Sequence, residues 1–176
     1  MRFVPENSYR RRICLSLSGR TFSECLQQLG DAPFAELRLD RIEMNEKEIS
    51  DLVDSGLEWI IAVREPFFEK KNYAELFNAS LTGKIRFIDF DFKIIQDMRV
   101  QKLLKTAREA GFKMMFSWHD FEKTPDREFL MKKRNEISEA DPDAIKMVCM
   151  GNDMEDAGVI LYVYRSFKNI TAFCLG

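Results

Sequence analysis

An α/β fold of (β/α)-barrel type is predicted by three features: seven short apolar runs, charged stretches of helical length between them, and the regular spacing of the runs. The runs are Ile13–Gly19, Phe34–Asp40, Trp59–Glu65, Ile85–Phe92, Phe112–His119, Ala144–Met150 and Asn169–Leu175. Each has seven or eight residues, and several are rich in Ile, Val and Phe, which suits buried strands better than helices. Strands alternating with helices imply a parallel sheet with right-handed crossovers. The first and seventh runs start 156 residues apart over six repeats, a mean of 26. That regularity, without a Gly-rich phosphate loop after the first run, favours a barrel over a doubly wound open sheet. On pattern alone, a flavodoxin-like open sheet is the alternative.

Taken in order, the runs bring a series of polar groups to their carboxyl ends, where a parallel barrel keeps its catalytic residues. The first carries Ser16 and Ser18. The second carries Glu36, Arg38 and Asp40, charges at period two that fall on one side of a strand. The third ends in Arg64-Glu65, the fourth carries Asp89 and Asp91, and the fifth carries Ser117 and His119, the only histidine of the chain. The sixth places Lys146 among Ile145, Met147, Val148 and Cys149. Between the runs, Gly30, Gly56, Gly83 and Gly111 mark helix ends, and Thr124-Pro125 predicts an N-cap followed by proline at the first helical position.

Each of these residues also has a bland explanation. Alternate charges can be the solvated face of one strand, and a lone histidine can be structural. Polar ends on five further strands shift the reading toward a polar site lined by an ion-pair network. Lysine is rare inside so apolar a strand. Desolvation and nearby arginines would lower its pKa and expose the neutral amine that forms a Schiff base, and an imidazole beside it can then move protons.

At 176 residues, the chain is read as a single, incomplete β/α-barrel domain spanning residues 1–176, long enough to bury a core. A formal net charge of -2, with 32% charged residues, gives no reason to expect nucleic acid or an anionic membrane as partner, so a small molecule is the expected ligand. Cys14, Cys25, Cys149 and Cys174 form neither CxxC pairs nor a histidine-containing cluster, which suits reduced thiols in the cytoplasm and no metal site. The N-terminal Met-Arg-Phe-Val-Pro-Glu has no apolar signal region, and no stretch is apolar for the roughly 18 to 20 residues that span a bilayer.

Seven motifs in order carry a resemblance: Ile-Cys-Leu-Ser-Leu-Ser-Gly-Arg-Thr, Ala-Glu-Leu-Arg-Leu-Asp, Ala-Val-Arg, Phe-Ile-Asp-Phe-Asp, Phe-Ser-Trp-His-Asp-Phe-Glu-Lys-Thr-Pro, Asp-Ala-Ile-Lys-Met-Val and Ile-Thr-Ala-Phe-Cys-Leu-Gly. Together the chain resembles the type I 3-dehydroquinate dehydratases, (β/α)8-barrel lyases of the shikimate pathway of aromatic amino acid biosynthesis. The resemblance implies that Lys146 forms an imine with the C3 ketone of 3-dehydroquinate. It implies that His119 acts as general base and acid, and that Ser16, Glu36, Arg38 and Arg64 bind the substrate, with Asp40 in support. The iminium is the electron sink, so no cofactor or metal is implied. A homodimer is also implied.

The chain departs from the family pattern at three places. Glu69 is the nearest match to the acid that supports the histidine, displaced by one residue, and Lys70-Lys71 stand where Gly-Gly is usual. Asp91 stands where glutamate is usual. Family members continue past the position of Leu175-Gly176 into a Ser-Arg motif whose arginine anchors the substrate carboxylate, and then into an eighth strand. The expectation is therefore a barrel with seven strands recognisable, the eighth βα unit missing, and turnover impaired. Two other functions compete: a non-catalytic fragment that self-associates through open sheet edges, and another Schiff-base barrel enzyme such as an aldolase, which explains Lys146 but not Ser-Trp-His119-Asp.

Overall fold

Side-chain caps start most helices where the charged stretches begin. The computed structural model describes residues 13–176, so the hexapeptide Met1–Glu6 considered above lies outside the described residues. In chain order the elements are β1 (Leu15–Ser16), α1 (Phe22–Leu29), β2 (Phe34–Arg38), α2 (Glu46–Val53), β3 (Glu58–Val63), a 3-10 turn (Glu65–Glu69), α3 (Tyr73–Ala79), β4 (Lys84–Asp91), a second 3-10 turn (Phe92–Ile94), α4 (Met98–Glu109), β5 (Met114–Asp120), α5 (Arg127–Glu139), β6 (Ala144–Met150), α6 (Met154–Ser166) and β7 (Ile170–Leu175). Strand order in the sheet follows chain order from β1 to β7. This is the sequential arrangement of a (β/α) barrel and not the reversed order of a doubly wound sheet.

The chain divides into two compact units, with β4 contributing to both. The first holds residues 13–88 and 97–112. There β1 pairs with β2 and β2 with β3, both in parallel, with Ser16 opposite Glu36 and Arg38 opposite Ala62. Trp59–Val63 of β3 is buried without a break, as expected of a strand covered on both faces. Thr21 and Glu24 close a capping box on α1, and Asn45 and Glu48 close another on α2. Helix α4 begins at Asp97 and buries Val100, Leu103, Leu104 and Ala107, a spacing that keeps one face inward. It ends in a Schellman motif: Phe112 N–H donates to the Ala107 carbonyl and Gly111 N–H to that of Arg108, with Gly111 at φ 80°.

The second unit holds residues 89–96 and 113–176. Here β5 pairs with β6 and β6 with β7, in parallel, with Ser117 opposite Lys146, His119 opposite Val148, Lys146 opposite Thr171 and Cys149 opposite Cys174. Helix α6 starts at Asp153, whose carboxylate accepts from the N–H groups of Glu155 and Asp156.

Two expectations change. The run Ile13–Gly19 yields only Leu15–Ser16 as strand, because the N–H groups of Ser18 and Gly19 donate to the Gln28 side-chain oxygen on α1 and leave the ladder. Thr124 is not the cap of α5. Its hydroxyl donates to the Met150 carbonyl at 2.7 Å, and Asp126 caps the helix instead by accepting from Phe129 N–H, so Pro125 lies before the helix. The carboxylate also complements the helix dipole, which a hydroxyl does less well.

Gly83 is required for a different reason from Gly111, since a Cβ there would lie 2.1 Å from the Val53 carbonyl oxygen. Gly83→Ala is expected to cost about 2 kcal/mol or more through overpacking, read by urea unfolding. A second expectation concerns Cys149, whose thiol is pushed up to about 12, chiefly by burial and further by Asp120. Between about pH 9 and 12 the unfolded chain releases a proton that the folded chain keeps, so folding stability falls as pH rises. Urea unfolding at stepped alkaline pH should show this loss in the wild type and a shallower one in Cys149→Ala.

Candidate active site

In the first unit the polar groups expected at the ends of β1 to β3 form three contacts around largely buried charge. Glu36 sits in the middle of β2, is 6% exposed, and accepts a 2.8 Å hydrogen bond from the Ser16 hydroxyl on β1. Arg38, the last residue of β2, forks onto Asp40 with Nε and Nη2 each 2.8 Å from a carboxylate oxygen. A two-point contact of this kind fixes the plane of the guanidinium as well as its place. Arg64 follows β3, is buried, and donates from Nη1 to the Val63 carbonyl at 2.9 Å.

The loops that carry these groups are tied together. Glu43 N–H donates to the Arg20 carbonyl at 2.7 Å, and the Arg20 guanidinium pairs with the Glu43 carboxylate, joining the loops after β1 and β2. On the other side Lys70 donates from Nζ to the Ile42 carbonyl at 2.7 Å, joining the loops after β2 and β3. Lys70 thus has a structural use in place of the Gly-Gly of the resemblance. Glu69, proposed from sequence as the acid behind His119, is exposed at the end of the 3-10 turn in this unit.

In the second unit, Lys146 lies at the third position of β6 with its side chain only 14% exposed, and its Nζ is 3.5 Å from an Asp89 carboxylate oxygen. The Asp89 side chain is fully buried. Two unit charges this close and this dry are far more strongly coupled than a surface pair. Strand register places the other groups. Ser117 is opposite Lys146, and His119 is two residues further along the same face of β5. Neighbouring strands are about 4.8 Å apart and residues rise about 3.3 Å, so the backbones of His119 and Lys146 stand roughly 8 Å apart, within reach of a shared small ligand. His119 is 9% exposed and its ring stacks on Phe121, with centroids 5.4 Å apart and planes 19° apart. The Ser117 hydroxyl is buried and points to the Phe90 carbonyl at 3.5 Å.

Asp91, expected from sequence in a supporting place, ends β4 and accepts from Lys93 N–H at 3.0 Å, capping the second 3-10 turn. Asp89 was visible in the sequence only as one more polar residue at a strand end. Its spacing of two from Asp91 puts both on one face of β4, which was the available signal for a buried partner of the lysine. Among the described residues, no group of three or more His, Cys, Asp or Glu side chains is placed to hold a metal ion. No helix there is long and apolar enough to cross a membrane.

Comparison with known proteins gives a consistent result. Residues 13–176 match the family model described as type I 3-dehydroquinase. The 3-dehydroquinate dehydratase of Thermococcus gammatolerans is 30% identical over 153 residues, covering 84% of this chain and 70% of that protein. That of Thermococcus onnurineus is 33% identical over 76 residues, covering 43% of this chain and 35% of that protein. Among solved structures, the type I 3-dehydroquinate dehydratase of Clostridium difficile superposes with a TM-score of 0.73 at 18% identity, covering 93% of this chain and 75% of that one. The 3-dehydroquinate dehydratase of Enterococcus faecalis gives 0.71 at 19% identity, covering 93% and 78%. The structural matches show a shared fold.

Breaking the buried pair from one side leaves an uncompensated charge. Asp89→Ala is therefore expected to destabilise the protein by about 3 kcal/mol in urea unfolding, and Lys146→Met in the same chain is expected to recover part of that loss.

Proposed function

The chain belongs to the type I 3-dehydroquinase family of hydro-lyases that dehydrate 3-dehydroquinate, and on that premise we propose that it works through a Schiff base on Lys146. The observation that carries this reading is the buried amine of Lys146 beside Asp89, with Ser117 and His119 presented on the same side of the adjoining strand.

In this mechanism Lys146 gives up a proton to solvent and attacks the C3 ketone as a neutral amine. Loss of water gives an iminium. The iminium carries the same single positive charge as the ammonium it replaces, so Asp89 faces an unchanged charge and needs no rearrangement. His119 takes the C2 proton, the electron pair moves onto the iminium nitrogen, and the C1 hydroxyl leaves as water with a proton returned by His119. Hydrolysis of the remaining imine frees 3-dehydroshikimate and the amine. Glu36, Ser16, Arg38 and Arg64 orient the substrate, with Asp40 holding the Arg38 fork in place. Since the iminium is the electron sink, the chemistry draws on no metal or organic cofactor.

The protein is further proposed to act in the cytoplasm as a homodimer. The four free thiols suit a reducing compartment, and the family resemblance supports the dimer, which sedimentation at micromolar concentration checks.

Borohydride added with 3-dehydroquinate should leave a reduced covalent adduct on the peptide containing Lys146, read by mass spectrometry. Lys146→Ala is expected to abolish the adduct and lower turnover on the order of 10³-fold or more. His119→Ala is expected to lower turnover by about 10² to 10⁴-fold while retaining the lysine. A folded wild type that binds the ligand but gives no adduct would refute the Schiff-base mechanism.

A further inference from the structure

We infer that Thr171 is a substrate-contacting residue whose hydroxyl hydrogen-bonds to the ketone oxygen while Lys146 adds to the carbonyl carbon; the inference rests on the Schiff-base reading above. Strand register is what places it. Lys146 is opposite Ser117 on one neighbouring strand and opposite Thr171 on the other, so the three form one row across β5, β6 and β7. In-register residues of parallel strands point to the same face, and neighbouring strands lie about 4.8 Å apart. Thr171 therefore shares the face and the level of the lysine.

The two hydroxyls that flank Lys146 are not equivalent. Ser117 is fully buried, with its hydroxyl turned to the Phe90 carbonyl at 3.5 Å. Thr171 is exposed. Ser117 thus has an acceptor on its own side, and the hydroxyl on the other side of Lys146 is that of Thr171. Further along the same face of β7 stand Phe173 and Leu175, an apolar wall with Thr171 as its one hydroxyl. Such a wall leaves few places for a carbonyl oxygen to find a donor.

Charge develops on that oxygen in the step concerned. The amine lone pair forms the C–N bond, the carbonyl π pair moves to oxygen, and the proton lost by nitrogen ends on that oxygen to give a carbinolamine. A second proton, drawn from solvent, lets the oxygen leave as water while nitrogen's lone pair forms the C=N bond. The Thr171 hydroxyl donates a hydrogen bond throughout and keeps its own proton.

A threonine on a strand can equally be there for its β-branched fit. Thr171→Val keeps that shape and removes the hydroxyl, whereas Thr171→Ser keeps the hydroxyl and removes the methyl. In rapid-quench borohydride trapping with saturating 3-dehydroquinate, Thr171→Val is expected to form the Lys146 adduct about tenfold more slowly, the effect of one hydrogen bond, and Thr171→Ser within about twofold of wild type. The analogue with a methylene in place of the ketone, which offers no oxygen at that carbon, should bind wild type and Thr171→Val with equal Kd. Wild-type trapping rates in Thr171→Val, or a matching loss of affinity for the methylene analogue, would overturn the assignment. A wild type that forms no adduct overturns the Schiff-base reading and this inference with it, and that outcome is seen before any variant is made.

Discussion

The contact between Lys146 and Asp89 sets the terms for the second unit. A buried ammonium is tolerated only with a partner, and a buried carboxylate likewise, so the two strands that carry them must hold their relative heights closely. Replacing such a pair by apolar residues is often neutral or stabilising, so stability alone is a weak reason to keep it. A covalent role for the amine gives a better one. In the proposed mechanism the same pair that costs desolvation in the resting protein is matched to the charge of the iminium, so the electrostatic arrangement needed late in that reaction would already be assembled.

The first unit solves a different problem. Its polar groups lie on or just after three strands whose ends are joined by loops, and loops alone would let them wander. Arg20 and Glu43 fasten the middle loop on one side and Lys70 fastens it on the other, using backbone carbonyls as the anchor points. Backbone anchors do not depend on the rotamer of the residue that supplies them. Glu36 and Arg64 are held more directly, by burial and by contacts that include those to Ser16 and to the Val63 carbonyl.

Much of this was legible in the sequence because burial on both faces leaves a continuous apolar run, and a lone lysine in such a run is conspicuous. Lys146, His119, Glu36, Arg38 and Arg64 all stood out in that way, although their roles came from the family resemblance. What escaped was anything that depends on a partner distant in sequence. The early end of β1 is decided by Gln28, a helix residue that takes two strand amides. The start of α5 is decided by Met150, which takes the Thr124 hydroxyl. Thr171 has no local signature, since its place beside the lysine exists only in the register of β6 against β7. Glu69 was picked out as the nearest match, one residue displaced, to an acid of the family pattern, and the 3-10 turn places it at the surface.

The burial of Cys149 bears on how this protein ages as well as on how it folds. Cys149 and Cys174 occupy registered positions on adjacent strands, close enough to invite cross-linking under oxidants. Oxidants and disulfides are attacked by thiolate and not by thiol. A group titrating at about 12 is ionised in only about one molecule in 10⁵ at neutral pH, so the core position that packs the sulfur also withholds its reactivity. The strand carrying Lys146 therefore ends next to a cysteine kept chemically silent by its surroundings, and of these two thiols the more exposed Cys174 is the one open to oxidants.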